Sequence, residues 1–476
     1  MAANGSVAPK RAMKFPHVFS FLFATVLVMF VLTWVIPAGE FERERVQVEG
    51  GTPQVRVKAG TYHAVPPAPQ MPWKIFQALD TGFTQSGGMI FMVFFCGAAI
   101  YILEKTGTVR VVFQRILKKV AGREHLAILA VMIFMSIGGA AGAFANTALA
   151  LVPLGILLSR ALGFDNAVGF GMVYLGSYAG FNVGWGNVFT IGIAQDIAEL
   201  ERLSGFAVRV LFHVVNLALS YWWVSLYVKR IRKTPESSLL YEEGTPLSEI
   251  YGSSEGFGNF EPFTWRHMAC VAIAVLSFGG IIVGSVWWNW GIPLYSATFL
   301  AMAILTGLFG GLGVNGTCAE FIKGCGTIVA GAFVIGISRA ISVVMTDGKI
   351  IDSIVYYLSM PISSYGPIVG ANVMFYVNVL INFFIPSGSG QAVAVMPLMV
   401  PIADLSNISR QVAVQAFQFG DGFANCIIPT SGVLMSALAL AKIPYTRYAR
   451  WFAPMLILQF ILGSIALTVL QSIGWQ

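Results

Sequence analysis

The chain has 476 residues, of which 56% are hydrophobic and 11% are charged. Soluble globular domains carry about 25% charged residues, so this composition excludes a soluble enzyme, a nucleic-acid-binding protein and a disordered chain. The formal net charge of +7 fits the excess of lysine and arginine that membrane proteins carry in their cytoplasmic loops. Composition and charge therefore predict a polytopic membrane protein.

Nine apolar segments are long enough to cross a bilayer as single helices, which takes roughly 20 apolar residues. They cover approximately residues 16–36, 87–104, 167–195, 206–228, 267–288, 292–312, 326–345, 411–440 and 449–472. These segments predict an all-α polytopic membrane protein with about nine transmembrane helices.

Two further apolar regions, 125–160 and 366–404, are each interrupted by small and polar residues. The interruptions lie at 138–147 and at 385–391. Non-helical backbone survives at membrane depth only where protein or an aqueous cavity surrounds it. Both regions are therefore predicted to form re-entrant helical hairpins, with the interruptions as their tips.

The distribution of basic residues predicts the orientation of the chain. Lysines and arginines precede the first span, occupy 105–124, follow residue 228 and lie between the last two spans. All of these loops are cytoplasmic if the N-terminus is cytoplasmic and each hairpin returns to its starting side. The C-terminus is then extracytoplasmic, and the expected location is a bacterial inner membrane.

Two polar segments lie outside the predicted spans. Residues 37–86 form a predicted extracytoplasmic loop, in which 46–48 and 55–57 flank a glycine-containing turn and predict a small β-hairpin. Residues 229–266 are polar and rich in Gly and Ser. This second segment is predicted to be a cytoplasmic linker between the two halves of the chain.

The two halves repeat one order of parts: span, hairpin, glycine-rich span and final span, in 87–228 and again in 326–472. The charge distribution makes the two units enter the membrane in opposite directions, as in secondary transporters whose site lies between inverted repeats. The remaining segments, 1–36 and 267–312, are predicted to supply scaffold helices. At an offset of 244 residues, Ala148, Ala150, Pro153, Leu154 and Gly176 coincide with Ala392, Ala394, Pro397, Leu398 and Gly420.

Polar residues inside the membrane lie at the hairpin tips and in the glycine-rich spans 167–195 and 411–440, which we expect to be locally unwound. Unwinding frees carbonyl groups for a cation and amide groups for a carboxylate, and carbonyls near Gly184 and Ile427 are candidates for binding Na⁺. The alternative is that these small residues serve close helix packing. The candidate substrate- or ion-binding residues are Asn146, Thr147, Ser177, Asn182, Asn187, Ser387, Gly388, Ser389, Gly390, Gln391, Asp421, Asn425, Thr430 and Ser431.

Asp421 is a carboxylate in mid-span, and such groups are functional by default. It could bind a substrate amine or carry a coupling proton, and the alternative is a structural ion pair with Arg339. For Arg339 we expect a structural or snorkelling role, with a clamp on a substrate carboxylate as the alternative. Five acids near span ends are expected to be solvated: Glu104, Asp165, Asp196, Glu199 and Asp404.

No cofactor, metal centre or nucleic-acid partner is expected. The five histidines are scattered, and the sequence has no Walker A loop, no GxSxG elbow and no HExxH helix. A proton or Na⁺ is a possible coupling ion. The expected partners are a small solute and the lipid bilayer.

Five motifs resemble the YfcC family, which belongs with the DcuC-type anaerobic four-carbon dicarboxylate carriers in the ion transporter superfamily. The motifs are Phe15-Pro16-His17, residues 34–41, Gly180-Phe181-Asn182, residues 382–390 and residues 418–422. The resemblance covers nearly the whole chain. It implies a homodimer with a scaffold domain and a transport domain that holds both hairpins and moves as an elevator.

Relatives in this group are described as carriers of dicarboxylates, short-chain fatty acids or basic amino acids of the arginine/ornithine ArcD-like kind. The resemblance to YfcC and the acidic Asp421 favour a basic amino acid over a dicarboxylate. A channel would need a continuous polar pore, whereas two broken hairpins predict an occluded site. A membrane enzyme lacks a nucleophile–base pair or metal cluster, so a secondary transporter is the leading hypothesis.

Overall fold

The computed structural model describes residues 18–46, 54–58, 60–112, 115, 123–251, 262–288 and 290–476. Within these ranges the chain is predominantly helical. The helices are α1 (Val18–Val35), α2 (Lys74–Gln85), α3 (Gly87–Lys105), α4 (Glu124–Ala140), α5 (Phe144–Ala161), α6 (Asn166–Phe170), α7 (Gly176–Phe181), α8 (Ile193–Ile197), α9 (Phe206–Lys233), α10 (Leu247–Ile250), α11 (Trp265–Trp287), α12 (Ile292–Phe309), α13 (Gly313–Asp347), α14 (Ile351–Ser359), α15 (Pro367–Phe384), α16 (Gly388–Leu405), α17 (Arg410–Asn425), α18 (Gly432–Ala441) and α19 (Tyr445–Ser472). Two π-helical turns, Gly171–Leu175 and Val188–Gly192, and two 3₁₀ turns, Pro235–Ser237 and Met360–Ser364, complete the helical segments.

Six of the described helices are long and apolar enough to cross a membrane, or seven if the bent helix α13 is taken as one span. The nine transmembrane helices expected from the sequence stay a prediction. Two of the six, α15 and α16, are the arms of the second predicted hairpin and do not belong to the nine. The two glycine-rich spans are missing from the six because they are broken into short helices. Helices α1 and α11 contribute only shorter apolar stretches, Leu22–Val35 and Trp265–Ile281.

The segment after α1 forms four short strands in two antiparallel pairs: β1 (Gly39–Glu40) with β4 (His63–Ala64), and β2 (Arg43–Val46) with β3 (Gln54–Val57). The turn of the predicted hairpin lies outside the described residues. Asp352 on α14 holds this segment, because its carboxylate accepts from the Phe41 amide at 3.0 Å and from Arg43 Nη2 at 2.9 Å.

Both predicted hairpin tips are breaks between two helices. Helix α4 ends at Ala140 and α5 begins at Phe144, with Gly142 between them at φ +80°. Helix α15 ends at Phe384 and α16 begins at Gly388. Gln391 Nε2 donates to Asn378 Oδ1 at 3.0 Å, whereas 13 residues of straight helix would span about 20 Å. The chain therefore reverses direction at the second tip.

Helix bounds recur in the two halves at one offset. The bounds of α5 and α16 differ by 244 residues at both ends. The same offset relates Asn166–Phe181, the run from α6 through α7, to α17, and it relates Val188–Ile197 to α18. The identities at offset 244 in the sequence thus coincide with equal helix bounds.

Asp165 corrects one expectation from sequence, because it is fully buried rather than solvated. Its carboxylate accepts from Tyr227 and Ser238, each at 2.6 Å, and from the Val168 amide at 3.1 Å, which caps α6. Arg447 donates to the Tyr241 carbonyl at 2.7 Å. The described part of the linker is therefore held against the helical body, and this burial follows from contacts distant in sequence.

Candidate functional site

A cavity of about 730 Å³ lies where the two hairpin tips meet the breaks in the two glycine-rich spans. Gly142 and Ala143 contribute from the first tip, and 386–389 contribute from the second. Helix α13 closes another side of the cavity with Ser338, Arg339 and Ser342. The sequence folds this way because both tips are built from residues that form no continuous helix.

Seven predicted site residues line this cavity: Asn187, Ser387, Gly388, Ser389, Asn425, Thr430 and Ser431. Four others, Ser177, Asn182, Gln391 and Asp421, are fully buried behind the lining residues. Gly390 is exposed and lies outside the lining. Asn146 and Thr147 belong to the first turn of α5, and their side chains lie outside the described part of the structure.

The second hairpin tip contains a buried polar network. Asn382 Nδ2 donates to Asp421 Oδ1 at 2.7 Å and to Gln391 Oε1 at 2.8 Å. Asn425 Nδ2 also donates to Asp421 Oδ1, at 3.0 Å. Gln391 Nε2 donates to the side chain and the carbonyl of Asn378. This network joins both arms of the hairpin to α17.

The second carboxylate oxygen of Asp421 faces the start of α16. Within the described structure, Asp421 Oδ2 is buried and has no hydrogen-bond partner. A Cβ on Gly388, the first residue of α16, would lie 2.9 Å from this oxygen and 2.4 Å from Thr190 Cγ2. Only glycine fits there, and the positive end of α16 faces the carboxyl group of Asp421.

The first hairpin tip docks on the break in its own half. Ser177 Oγ donates to the Phe144 carbonyl at 2.8 Å, and the Gly186 amide donates to the Ala140 carbonyl at 3.1 Å. Asn187 caps the π-helical turn by accepting from the Phe189 amide at 3.0 Å. Its equivalent at offset 244, Ser431, caps α18 by accepting from the Leu434 amide.

Arg339 lines the cavity rather than pairing with Asp421. Its Nε donates to Gln85 Oε1 at 3.0 Å. Asp421 instead takes its hydrogen bonds from Asn382 and Asn425. Arg339 is the only ionised side chain among the described residues that line the cavity. The contacts therefore do not support the alternative of a structural ion pair between these two residues.

Three helices begin at the cavity: α5 after Ala143, α16 at Gly388 and α18 at Gly432. The first amides of a helix have no partner within the helix, and the helix dipole places a partial positive charge there. Together with Arg339, the starts of α5 and α18 place positive charge on one side of the cavity, whereas the start of α16 faces Asp421. Such a cavity suits a carboxylate group.

Three tyrosine hydroxyls donate hydrogen bonds to backbone carbonyl groups at the break after α17. Tyr174 donates to the Asn425 carbonyl at 3.0 Å, Tyr448 to the Cys426 carbonyl at 2.7 Å and Tyr445 to the Ile427 carbonyl at 2.8 Å. A Na⁺ ion near Ile427 would use the remaining lone pair of that carbonyl. The described residues contain no group of three or more His, Cys, Asp or Glu side chains that could hold a metal ion.

Several residues of the site region escaped the sequence analysis. Asn378 and Asn382 are one helical turn apart on α15, and their i, i+4 spacing in an apolar helix was a usable signal. Thr190 and Ser338 carry no such signal, because only the fold brings their buried hydroxyls, which have no hydrogen-bond partner among the described residues, to the cavity. Outside the cavity, the fully buried Arg209 of α9 donates to Gln415 Oε1 at 2.8 Å and to Gln411 Oε1 at 2.9 Å.

Comparison with known protein families and sequences found matches over the whole chain. The DcuC family model, described as a C4-dicarboxylate anaerobic carrier, matches residues 15–472. The chain is 29% identical over 517 residues, covering 100% of both proteins, to YfcC of Escherichia coli (strain K12), which is provisionally named a basic amino acid antiporter. It is 26% identical over 505 residues, covering 98% of both, to an uncharacterized protein of Haemophilus influenzae.

Two solved transporter structures also resemble the chain. The YdaH transporter of Alcanivorax borkumensis aligns over 97% of this chain and 99% of that one, with 15% identity and a TM-score of 0.40. MtrF of Neisseria gonorrhoeae, whose structure is described as illuminating a class of antimetabolite efflux pumps, aligns over 96% of both chains, with 14% identity and a TM-score of 0.43.

Proposed function

The chain belongs to the DcuC family of C4-dicarboxylate anaerobic carriers, and we propose that it is a secondary active transporter that exchanges a small basic amino acid, of the arginine/ornithine kind. Membership of the family supports a membrane carrier rather than an enzyme. The substrate and the exchange mechanism are our proposal.

The observation that carries the proposal is that helices α5 and α18 begin at one cavity that also holds Arg339, whereas the start of α16 faces Asp421. Helix N-termini bind anionic groups, and arginine suits a carboxylate through its fork of donors. A cavity of about 730 Å³ accommodates a small organic solute. The solute therefore carries at least one carboxylate.

Two features support an amino acid over other carboxylates. The name of the YfcC relative points to basic amino acids. Hydroxyl groups of Ser387, Ser389 and Ser431 line the cavity and offer acceptors for an ammonium group. The charge of Asp421 lies directly behind Gly388. It favours a cation on that side of the cavity.

A four-carbon dicarboxylate, coupled to H⁺ or Na⁺, is the second candidate. The observation in its favour is that Arg339 is the only charged group among the described lining residues. A second carboxylate could pair with it, whereas the side-chain cation of a basic amino acid must stay away from it. The description of the family as C4-dicarboxylate carriers agrees with this candidate.

We propose that transport proceeds by an elevator movement of the two hairpins and the two broken helices within an inverted repeat. The shared offset of 244 residues in the helix bounds supports the repeat. By this proposal the protein is a homodimer in a bacterial inner membrane, with a cytoplasmic N-terminus and an extracytoplasmic C-terminus. A proton or Na⁺ is the candidate coupling ion if transport is not pure exchange.

Counterflow in proteoliposomes tests the proposed function. Vesicles loaded with ornithine should accumulate labelled arginine, and protein-free vesicles provide the control. Exchange of succinate or fumarate instead would overturn the choice of an amino acid. Flux that depends only on the gradient, without stimulation by solute on the opposite side, would identify a channel and overturn the carrier as well.

A further inference from the structure

The start of α18 differs from the other helix ends at the cavity. Gly432 and Val433, its first two residues, line the cavity. A Cβ on Gly432 would lie 3.4 Å from Ser338 Oγ. That hydroxyl is buried and has no hydrogen-bond partner in the part of the chain that the structure describes. An unpaired hydroxyl thus lies beside the positive end of a ten-residue helix.

Arg339 follows Ser338 directly and lines the same cavity. Its Nε donates to Oε1 of Gln85, which also lines the cavity. Helix α13 packs against α18, so one helix pair presents a hydroxyl, a guanidinium and free first-turn amides together. These are the donors that a carboxylate requires.

Among the described residues, two comparable helix starts lack this combination. The start of α16 already faces the carboxylate of Asp421, which competes with an external anion there. In the first half, the equivalent of α18 begins with the π-helical turn Val188–Gly192. At offset 244, the positions of Ser338 and Arg339 correspond to Phe94 and Phe95. Of these three helix starts, only that of α18 therefore has the full set of donors.

We propose that a carboxylate of the transported solute binds at the N-terminus of α18, to the amides of Gly432 and Val433, the Ser338 hydroxyl and the Arg339 guanidinium. This inference rests on the proposed function and deepens it, because it fixes the orientation of the solute. The rest of the solute then points toward Asp421 and the second hairpin tip. By this proposal Arg339 and Ser338 determine specificity, because they favour solutes that carry a carboxylate.

Protection of a cysteine from alkylation tests the proposal without requiring transport. The reporter is Ser342→Cys, which lines the cavity one helical turn beyond Ser338, in a chain whose exposed Cys318 and half-buried Cys325 are replaced by serine. The probes are arginine with argininamide, and succinate with succinamide. In each pair the second compound carries carboxamides in place of every carboxylate, so the comparison tests the requirement for a carboxylate.

We expect arginine or succinate to slow alkylation at concentrations at least about tenfold lower than its amide partner, because a charged hydrogen bond is lost in the amide. Arg339→Gln should remove this preference, and Arg339→Lys should restore part of it. Lys323→Gln removes an exposed positive charge elsewhere on α13 and should leave the preference intact. Monodisperse gel filtration verifies that each variant folds.

Equal protection by acid and amide, an equal effect of Arg339→Gln on both probes, or no protection by either acid would overturn the proposal. Protection that distinguishes acid from amide in a protein without counterflow would support this carboxylate site while refuting the proposed function. The two failures are therefore distinguishable.

Discussion

Asn182 and Cys426 lie 244 residues apart in the chain, and their buried side chains contact each other, with Asn182 Nδ2 at 3.8 Å from Cys426 Sγ. The backbones of the two spans also approach closely here, since a Cβ on Gly422 would lie 2.5 Å from Asn182 Cα. Contact between equivalent positions is what a two-fold relation between two copies produces. The breaks in the two glycine-rich spans therefore meet at one point beside the cavity.

We predict that Asp421→Asn lowers the transport rate at least tenfold and removes its dependence on pH, while the protein remains folded. Asparagine can keep its oxygen toward Asn382 and Asn425, which both donate to Oδ1. The substitution replaces Oδ2, which faces the positive end of α16, with an amide nitrogen. The favourable interaction between a carboxylate and the helix dipole is then lost. Proteoliposome uptake over a pH series measures the effect.

Asp404→Asn is the matched control for this variant. Asp404 is an exposed acid at the end of α16 that pairs with Arg410 at 2.8 Å, and exposed ion pairs contribute at most about 1 kcal/mol. We expect wild-type transport from this control. Wild-type transport and an unchanged pH profile in Asp421→Asn would remove Asp421 from the mechanism.

Gly180→Ala should destabilise the fold by about 1–3 kcal/mol, as overpacked substitutions do. The added Cβ would lie 1.8 Å from the Ser136 carbonyl oxygen, where α7 meets α4. In Gly186→Ala the nearest atom would be 3.7 Å away, at an ordinary contact distance. Thermal unfolding in detergent should give a lower Tm for the first variant only, and equal Tm values would contradict the packing described here.

Asp165 should make stability depend on pH. Burial raises the pKa of the Asp165 carboxyl above its usual range, although hydrogen bonds from Ser238 and Tyr227 oppose the shift. The folded state then retains the proton to higher pH than the unfolded state does, so this contribution is present at low pH and is lost as pH rises through the folded-state pKa.

Asp165→Asn stands in for the protonated carboxyl and should abolish this dependence. We expect the Tm of the wild-type protein to fall relative to that of the variant as the pH is raised from acid to neutral. Differential scanning fluorimetry of both proteins across that range makes the comparison. A constant difference in Tm at every pH would show that Asp165 does not titrate as its burial implies.

Arg209→Lys should cost about 1–3 kcal/mol of stability. The guanidinium donates to both Gln415 and Gln411 and lies 5.3 Å from the ring of Trp475. Lysine cannot reproduce this planar fork of donors. Arg202→Lys, at an exposed pair with Asp196, is the control and should change Tm little. Similar decreases in Tm in both variants would show that the buried hydrogen bonds of Arg209 stabilise the fold no more than the exposed ion pair of Arg202 does.

The sequence predicted the positions of the helix breaks and the internal offset between the two halves. The interruptions at 138–147 and 385–391 contain the breaks between helices, because Gly142 adopts a left-handed backbone conformation in the first and Pro386, which has no backbone N–H, lies in the second. The offset of 244 residues, first visible in a few identities such as Pro153 and Pro397, reappears in the helix bounds.

Burial depends on distant contacts that no local pattern encodes. Asp165 resembles a solvated residue at a span end, yet Tyr227 and Ser238 enclose it from other elements. The sequence suggested that Asp421 binds a substrate amine or carries a coupling proton, and only the fold shows that its carboxyl group lies behind Gly388. Ser338 reaches the cavity only because α13 packs against α18. These relationships required the tertiary structure.

A cryo-EM map of the protein saturated with the solute that it exchanges would test most directly whether the two hairpin tips and the two broken helices enclose one carboxylate-binding site. The account predicts solute density in the cavity between Ser389 and Arg339, with a carboxylate at the start of α18. Solute density elsewhere, or a continuous pore with the hairpin tips apart, would contradict it.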